Sequence, residues 1–123
     1  MDPIRHLRGS GARVDEVGGK AAGLDRLVSH GFPVPSATAI TVGGYHAFID
    51  HAGLDKTLVD IAGSEIPTPD RIESETERID QIFLAAPLDP DLERRIRGAV
   101  RDLLDEGPIA VRSSATAEDL GSA

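Results

Sequence analysis

Glycine and proline recur at short intervals in this sequence, and they limit the length of every helix and strand that it can form. The 123 residues include 13 glycines and 8 prolines. Glycine is costly inside a helix, and proline disfavours the helical conformation in the residue before it. Between these breaks the apolar residues recur mostly at helical spacing. The sequence therefore predicts a helix-rich α/β fold of the α+β type, with two or three short strands.

Five helices are predicted between these breaks. Thr41 is suited to cap the second helix, and the last helix carries apolar residues on one face and arginines on the other. The predicted helices run from residue 20 to a glycine at 31, from 41 to 53, over 55–62, from 70 to a proline at 87, and over 91–106.

Short apolar segments between the helices predict the strands. Residues 37–41 follow two prolines and form one candidate, and residues 109–111 form a second, which we expect to be buried. Val14 and Val17 suggest a brief strand or an extended arm near the start of the chain. Aromatic residues make up only 3% of the chain, so Ala, Leu, Ile and Val must fill the core.

The balance of charges and the absence of cysteine exclude several classes of function. The 21 acidic residues against 13 basic ones give a net charge of −8, which repels the phosphates of DNA and RNA. Without cysteine, disulfide scaffolds, iron–sulfur clusters, Cys-ligated zinc and thiol catalysis are excluded. No apolar run reaches the length of a membrane span, and the first residues lack the apolar core of a signal peptide, so we expect a cytoplasmic protein.

A glycine pair followed by lysine, Gly18-Gly19-Lys20, precedes the first predicted helix. We expect the pair to interrupt regular structure and to leave the first N–H groups of the helix uncovered, where they and the lysine suit a phosphate. The segment is not a Walker A loop, because position 14 is valine and Ala21 stands where Ser or Thr would bind magnesium. Taken alone, the motif favours the alternative of a glycine turn before an ordinary helix with a solvated lysine.

A second polar motif follows the strand predicted at 109–111. Arg112 stands at the end of that strand, and the planar guanidinium group of an arginine suits phosphate oxygens. The small hydroxylated residues after it leave room for a ligand or a neighbouring loop. The residues alone leave open an alternative in which Arg112 pairs with Glu118 or Asp119 and the Ser/Thr run caps a helix.

The sequence predicts no metal site. The four histidines are unclustered, and His46 and His51 are five residues apart, which differs from the i, i+4 spacing of a helical metal pair. The proline-rich segment 31–35 is interpreted as a rigid connector from a helix to a strand, without chemistry of its own.

Three motifs occur in order along the chain and together resemble a known family. They are Val17-Gly18-Gly19-Lys20-Ala21, then Gly31-Phe32-Pro33-Val34-Pro35 with a following Thr41, then Ala110-Val111-Arg112-Ser113-Ser114-Ala115-Thr116-Ala117-Glu118-Asp119. The set resembles the N-terminal ATP-binding region of phosphoenolpyruvate synthase and pyruvate phosphate dikinase, shared with glucan water dikinase and rifampicin phosphotransferase. Each motif alone is weak, but the ordered set spans nearly the whole chain.

The resemblance implies that residues 1–123 are an N-terminal subdomain of a longer enzyme and the first lobe of an ATP-grasp-like nucleotide-binding domain. It implies that Lys20 and Arg112 bind the phosphates of ATP and that Gly19 contributes a backbone N–H group. No catalytic residue is expected within the chain, which is not expected to be active alone.

The implied reaction splits ATP into AMP and phosphate and passes the β-phosphoryl group, through a histidine, to pyruvate or a similar acceptor. In the family that histidine and the Mg²⁺ ligands lie beyond the stretch that this chain resembles. The expected partners are therefore ATP and the remaining domains of the parent enzyme, with neither nucleic acid nor a membrane.

A second hypothesis is a free-standing, non-catalytic module of the same fold that binds a nucleotide or a partner protein. The gene downstream of Ala123 discriminates between the two, because a reading frame that continues into a Ser-Phe-Ala-Gly-like sequence would eliminate the module.

Overall fold

Helices dominate the computed structural model, which describes residues 1–117 of the chain. Within these residues, five α-helices and one short 3-10 helix accompany a two-stranded antiparallel sheet, so the helix-rich α+β prediction is confirmed. None of the described helices is both long enough and apolar enough to cross a membrane. In chain order the elements are β1 (Ile4–His6), α1 (Val14–Ser29), β2 (Thr38–Ile40), α2 (Val42–Ala52), α3 (Asp55–Ala62), the 3-10 helix (Pro69–Arg71), α4 (Ile72–Ala85) and α5 (Pro90–Leu104).

Single residues account for the ends of α2 and α5. The Thr41 side chain caps α2 by accepting a hydrogen bond from the Gly44 N–H at 3.1 Å. Gly53 ends the same helix with φ 68°, a left-handed conformation that suits glycine. Asp89 caps α5 by accepting a hydrogen bond from the Leu92 N–H at 3.0 Å. Because such signals are local, the helices after residue 41 lie close to their predicted bounds.

The sheet pairs the start of the chain with the segment before α2. β1 runs antiparallel to β2, with Arg5 opposite Ala39. Beyond the strand ends, the Leu7 N–H donates to the Ala37 carbonyl at 3.0 Å. The strand predicted at residues 37–41 is confirmed as β2, whereas β1 is a strand that the sequence did not indicate.

Two of the strand predictions are wrong. Val14 and Val17, interpreted as a brief strand or an extended arm, lie in the first turn of α1. Residues 109–111 form no strand and are not buried, since Ile109 is 37% exposed and Val111 is 91% exposed. An apolar segment becomes a strand only beside a neighbour that satisfies its backbone. The part of the chain that the structure describes places no strand next to residues 109–111.

Small side chains form the core between the sheet and α1. Leu7, Val17 and Ala21 are buried together. Partly buried alanines at positions 12, 22, 37 and 39 pack against them. Alanine allows the helix and the sheet to approach closely, and the core composition agrees with the prediction that Ala, Leu, Ile and Val fill it.

The carboxylate of Asp25, in α1, holds the loop that follows β1. Asp25 is 2% exposed, and its two oxygens accept hydrogen bonds from the N–H groups of Gly9, Gly11 and Ala12 at 2.8, 2.9 and 2.8 Å. Burial by itself raises the pKa of Asp25, but the three hydrogen bonds and the charge of Arg5 outweigh it, so the pKa is lowered. One ionised group therefore ties this loop to the helix.

Thr41 joins the start of the chain to α2. It is 1% exposed, and its hydroxyl donates to the Asp2 carbonyl at 2.6 Å while accepting from the Gly44 N–H. Its own N–H donates to the Pro3 carbonyl at 3.0 Å. One side chain thus caps α2 and secures the segment that leads into β1.

Replacing Asp25 with asparagine should destabilise the fold at pH 7 by about 2–4 kcal/mol, because one amide oxygen cannot serve three N–H groups. The lowered folded pKa means that the carboxylate stabilises the fold above the ordinary aspartate pKa of about 4 and loses this contribution as the pH falls through the folded value. Urea unfolding should therefore show a smaller difference in the free energy of unfolding between the original chain and Asp25→Asn at about pH 3 than at pH 7. An Asp60→Asn control, at an exposed residue of α3, should change the free energy of unfolding little. Equal destabilisation by Asp25→Asn at both pH values would contradict this role of the carboxylate.

Replacing Thr41 with alanine should destabilise the fold by about 1–2 kcal/mol, because α2 loses its cap and the Asp2 carbonyl loses its donor. Thr41→Ser keeps the hydroxyl and should cost clearly less. Urea unfolding of both variants measures the difference, and equal destabilisation by serine and alanine would show that the hydroxyl is unimportant.

Candidate functional site

Helix α1 bends at Gly18, inside the glycine–lysine motif. Gly18 has φ 82° and ψ 169°, a conformation that residues with a side chain rarely adopt. The bend divides α1 into two helical segments, and the second begins at Gly19. The predicted interruption of regular structure at the glycine pair is therefore confirmed at Gly18, although the helix extends on both sides of it.

The 112–115 segment, from the other end of the described chain, packs against this bend. The Ser114 hydroxyl donates to the Val17 carbonyl at 2.8 Å and accepts from the Ala21 N–H at 3.2 Å. The Gly19 N–H donates to the Ala115 carbonyl at 3.0 Å. Three hydrogen bonds therefore join two motifs that are more than 90 residues apart in the sequence.

Gly18 is required by this packing as well as by its own conformation. A Cβ atom at Gly18 would overlap Ser114 Oγ and lie 2.6 Å from the carbonyl carbon and oxygen of the same residue. At Gly23, later in α1, a Cβ atom would meet nothing within 4 Å. The backbone of the 112–115 segment thus approaches α1 at a place where only a hydrogen atom fits.

Lys20 and Arg112, the two predicted phosphate-binding residues, lie on two segments that contact each other in the structure. Lys20 lies between Gly19 and Ala21, whose N–H groups both bind the 112–115 segment, and Arg112 begins that segment. Both Lys20 and Arg112 are exposed. At the joint between the bend and the segment, Lys20 of the helix and Arg112 of the segment are therefore both accessible to solvent.

The first N–H groups after the bend are not left uncovered. The Gly19 N–H is bonded to the Ala115 carbonyl and the Ala21 N–H to the Ser114 hydroxyl, so that expectation is wrong for these two groups. A phosphate that binds the Gly19 N–H has to displace the Ala115 carbonyl.

Ser114 is the residue whose contribution was not foreseen from the sequence. The small residues after Arg112 are expected to leave room for a ligand or a neighbouring loop, and in the structure α1 occupies that room. The available signal was the presence of small residues in both motifs, because small residues permit two backbones to approach closely. The alternative partners of Arg112, Glu118 and Asp119, lie outside the described residues.

Metal binding has no candidate among residues 1–117, where no three histidine, aspartate or glutamate side chains converge. His51 lies 3.8 Å from an oxygen of Asp89, and His6 is hydrogen-bonded to Thr38 through Nδ1 at 3.0 Å. His6 and His51 therefore contact other side chains of the same fold.

Comparison with known proteins adds a family and several relatives. Residues 14–123 match the family described as pyruvate phosphate dikinase, AMP/ATP-binding domain. The chain is 38% identical over 114 residues to the phosphoenolpyruvate synthase of Aeropyrum pernix, and 32% identical over 118 residues to that of Escherichia coli. It is 35% identical over 106 residues to the rifampicin phosphotransferase of Bacillus cereus.

These matches cover most of this chain and a small part of each relative. They span 87%, 89% and 85% of the chain but only 14%, 15% and 12% of the three relatives, in the same order. No solved structure matches the chain.

Replacing Gly18 with alanine should destabilise the fold by about 2–4 kcal/mol, because the extended backbone with positive φ at this position is strained for alanine and the new Cβ overlaps Ser114. Gly23→Ala, in the same helix, should be neutral or stabilising by up to about 1 kcal/mol. Urea unfolding measures both effects.

Limited trypsin digestion tests whether the Gly18→Ala change releases the 112–115 segment, since trypsin cleaves after arginine. The Gly18→Ala change should accelerate cleavage after Arg112, and Gly23→Ala should not. Equal cleavage rates in the two variants would mean that the 112–115 segment does not depend on the bend.

Proposed function

Because the chain belongs to the pyruvate phosphate dikinase AMP/ATP-binding domain family, we propose that the joint between the bend of α1 and the 112–115 segment binds the phosphates of ATP. One observation carries this proposal. Lys20 and Arg112 come from motifs at opposite ends of the described chain, yet residues close to each of them are joined by three hydrogen bonds. Two exposed cations at one joint suit a ligand with several neighbouring negative charges.

The two side chains have complementary roles in this proposal. Lys20 supplies a compact positive charge, and Arg112 supplies a planar fork that can donate to two phosphate oxygens at once. The second segment of α1 begins at Gly19 and directs the positive end of its dipole toward the same joint. The Gly19 N–H joins the phosphate ligands after it exchanges the Ala115 carbonyl for a phosphate oxygen.

The acidic character of the chain makes the position of these cations important. A net charge of −8 repels a polyanion such as ATP from most of the surface. The chain has only two lysines, at positions 20 and 56, and one of them stands at the bend. Nucleotide binding is therefore expected to depend strongly on Lys20 and Arg112.

We further propose that the chain is the N-terminal subdomain, over residues 1–123, of a phosphoenolpyruvate synthase-like enzyme, and the first lobe of an ATP-grasp-like domain. The similarity to phosphoenolpyruvate synthases and to a rifampicin phosphotransferase supports this assignment. The enzyme would split ATP into AMP and phosphate and pass the β-phosphoryl group, through a histidine outside this chain, to pyruvate or a similar acceptor.

Within that reaction, this chain holds and orients the nucleotide. Phosphoryl transfer needs chiefly correct positioning and stabilisation of charge on the phosphate oxygens, which exposed cations can supply. In this proposal the ligands of Mg²⁺ come from outside this chain, and the ion would supply further neutralisation of phosphate charge when bound. No residue of the chain is assigned a covalent or proton-transfer step.

Replacing Lys20 or Arg112 with alanine in the full-length protein should weaken ATP binding by at least about 10-fold each, because each variant loses a charge-assisted hydrogen bond to phosphate. Isothermal titration calorimetry with ATP and Mg²⁺ measures the dissociation constant. Lys56→Ala and Arg94→Ala are matched controls, since both remove an exposed cation elsewhere, in α3 and α5. Near-normal ATP binding in both Lys20→Ala and Arg112→Ala would refute the assignment.

A further inference from the structure

We propose that Ser114 is a positioning residue of the phosphate site, which holds Arg112 in register with Lys20. This inference rests on the proposed function and adds to it a residue that need not touch the nucleotide. It follows from the way in which the Ser114 hydroxyl enters the bend of α1.

The hydroxyl of Ser114 binds two groups that pair with each other in a regular helix. In an uninterrupted α-helix the Ala21 N–H donates to the Val17 carbonyl, four residues earlier. At the bend of α1 the Ser114 hydroxyl donates to the Val17 carbonyl at 2.8 Å and accepts from the Ala21 N–H at 3.2 Å. One hydroxyl, which is both a donor and an acceptor, thus joins the two helical segments across the bend.

This insertion connects the two cations through very few bonds. Arg112 lies two residues before Ser114, a backbone distance of about 7 Å at most. Lys20 immediately precedes Ala21, the residue whose N–H binds Ser114. The hydroxyl therefore fixes the backbone of the arginine against the backbone of the lysine.

On the N-terminal side of Arg112, packing contributes little to holding the chain in place. Val111, directly before it, is 91% exposed, and residues 109–117 are all exposed. The two hydrogen bonds of the Ser114 hydroxyl to α1 are consequently an anchor of the segment that carries the arginine, and they remain when the Gly19 N–H exchanges the Ala115 carbonyl for a phosphate oxygen. Gly18 preserves this anchor because a Cβ atom there would collide with Ser114.

A double-mutant cycle on the full-length protein tests this role. Ser114→Ala should raise the dissociation constant for ATP by about 10-fold, because Arg112 loses its position. In an Arg112→Ala background the same change should have an effect of less than about 2-fold, because the group that Ser114 positions is already absent. Ser74→Ala is the matched control, since it removes a serine hydroxyl that donates to the backbone carbonyl of Arg71, just before α4.

Adenosine is the second probe, since it lacks phosphates. Ser114→Ala should leave adenosine binding unchanged while it weakens ATP binding. The positioning role would be overturned if Ser114→Ala weakened ATP and adenosine binding equally, as a variant that fails to fold would. It would also be overturned if Ser114→Ala had the same effect on ATP binding with and without Arg112. Normal ATP binding by Arg112→Ala alone would instead refute the proposed function.

Discussion

The positive-φ backbone conformation of Gly18 is the constraint on which the arrangement of this chain depends. It interrupts α1 between Val17 and Ala21, so that a carbonyl and an N–H group that pair in a regular helix are bonded to Ser114. The interruption costs helical hydrogen bonding, and the Ser114 hydroxyl offsets that cost by binding both groups. A straight α1 would offer the 112–115 segment no such partners.

The helical segment after the bend is held firmly by the rest of the fold. Ala21 is buried against the sheet, and Asp25, one turn later, binds three N–H groups of the loop after β1. A buried carboxylate with three donors is a strong restraint because its release would leave several polar groups unsatisfied. Lys20 therefore projects from a rigid support, whereas Arg112 depends on the contact of its segment with that support.

The sequence allowed much of the fold to be predicted, and the errors have a common cause. The helices after residue 41 were predicted from caps and periodicity, which act within one or two turns. β1 was missed because its partner β2 lies more than 30 residues away and its own pattern is weak. Residues 109–111 were predicted as a buried strand because they are apolar, but apolar character does not supply a neighbouring strand.

The candidate site, too, was predicted in part from the sequence and in part only seen in the structure. Composition and local spacing determined the class of fold and the positions of most helices, because these depend on residue type and short-range pattern. The choice of Lys20 and Arg112 as phosphate-binding candidates came from the resemblance of the ordered motifs to a known family. Only the tertiary structure decided that the Gly19 N–H binds Ala115 and that Ser114 enters the bend of α1. The physical reason is that hydrogen bonds between residues more than 90 positions apart depend on how the whole chain packs, and no local pattern records that packing.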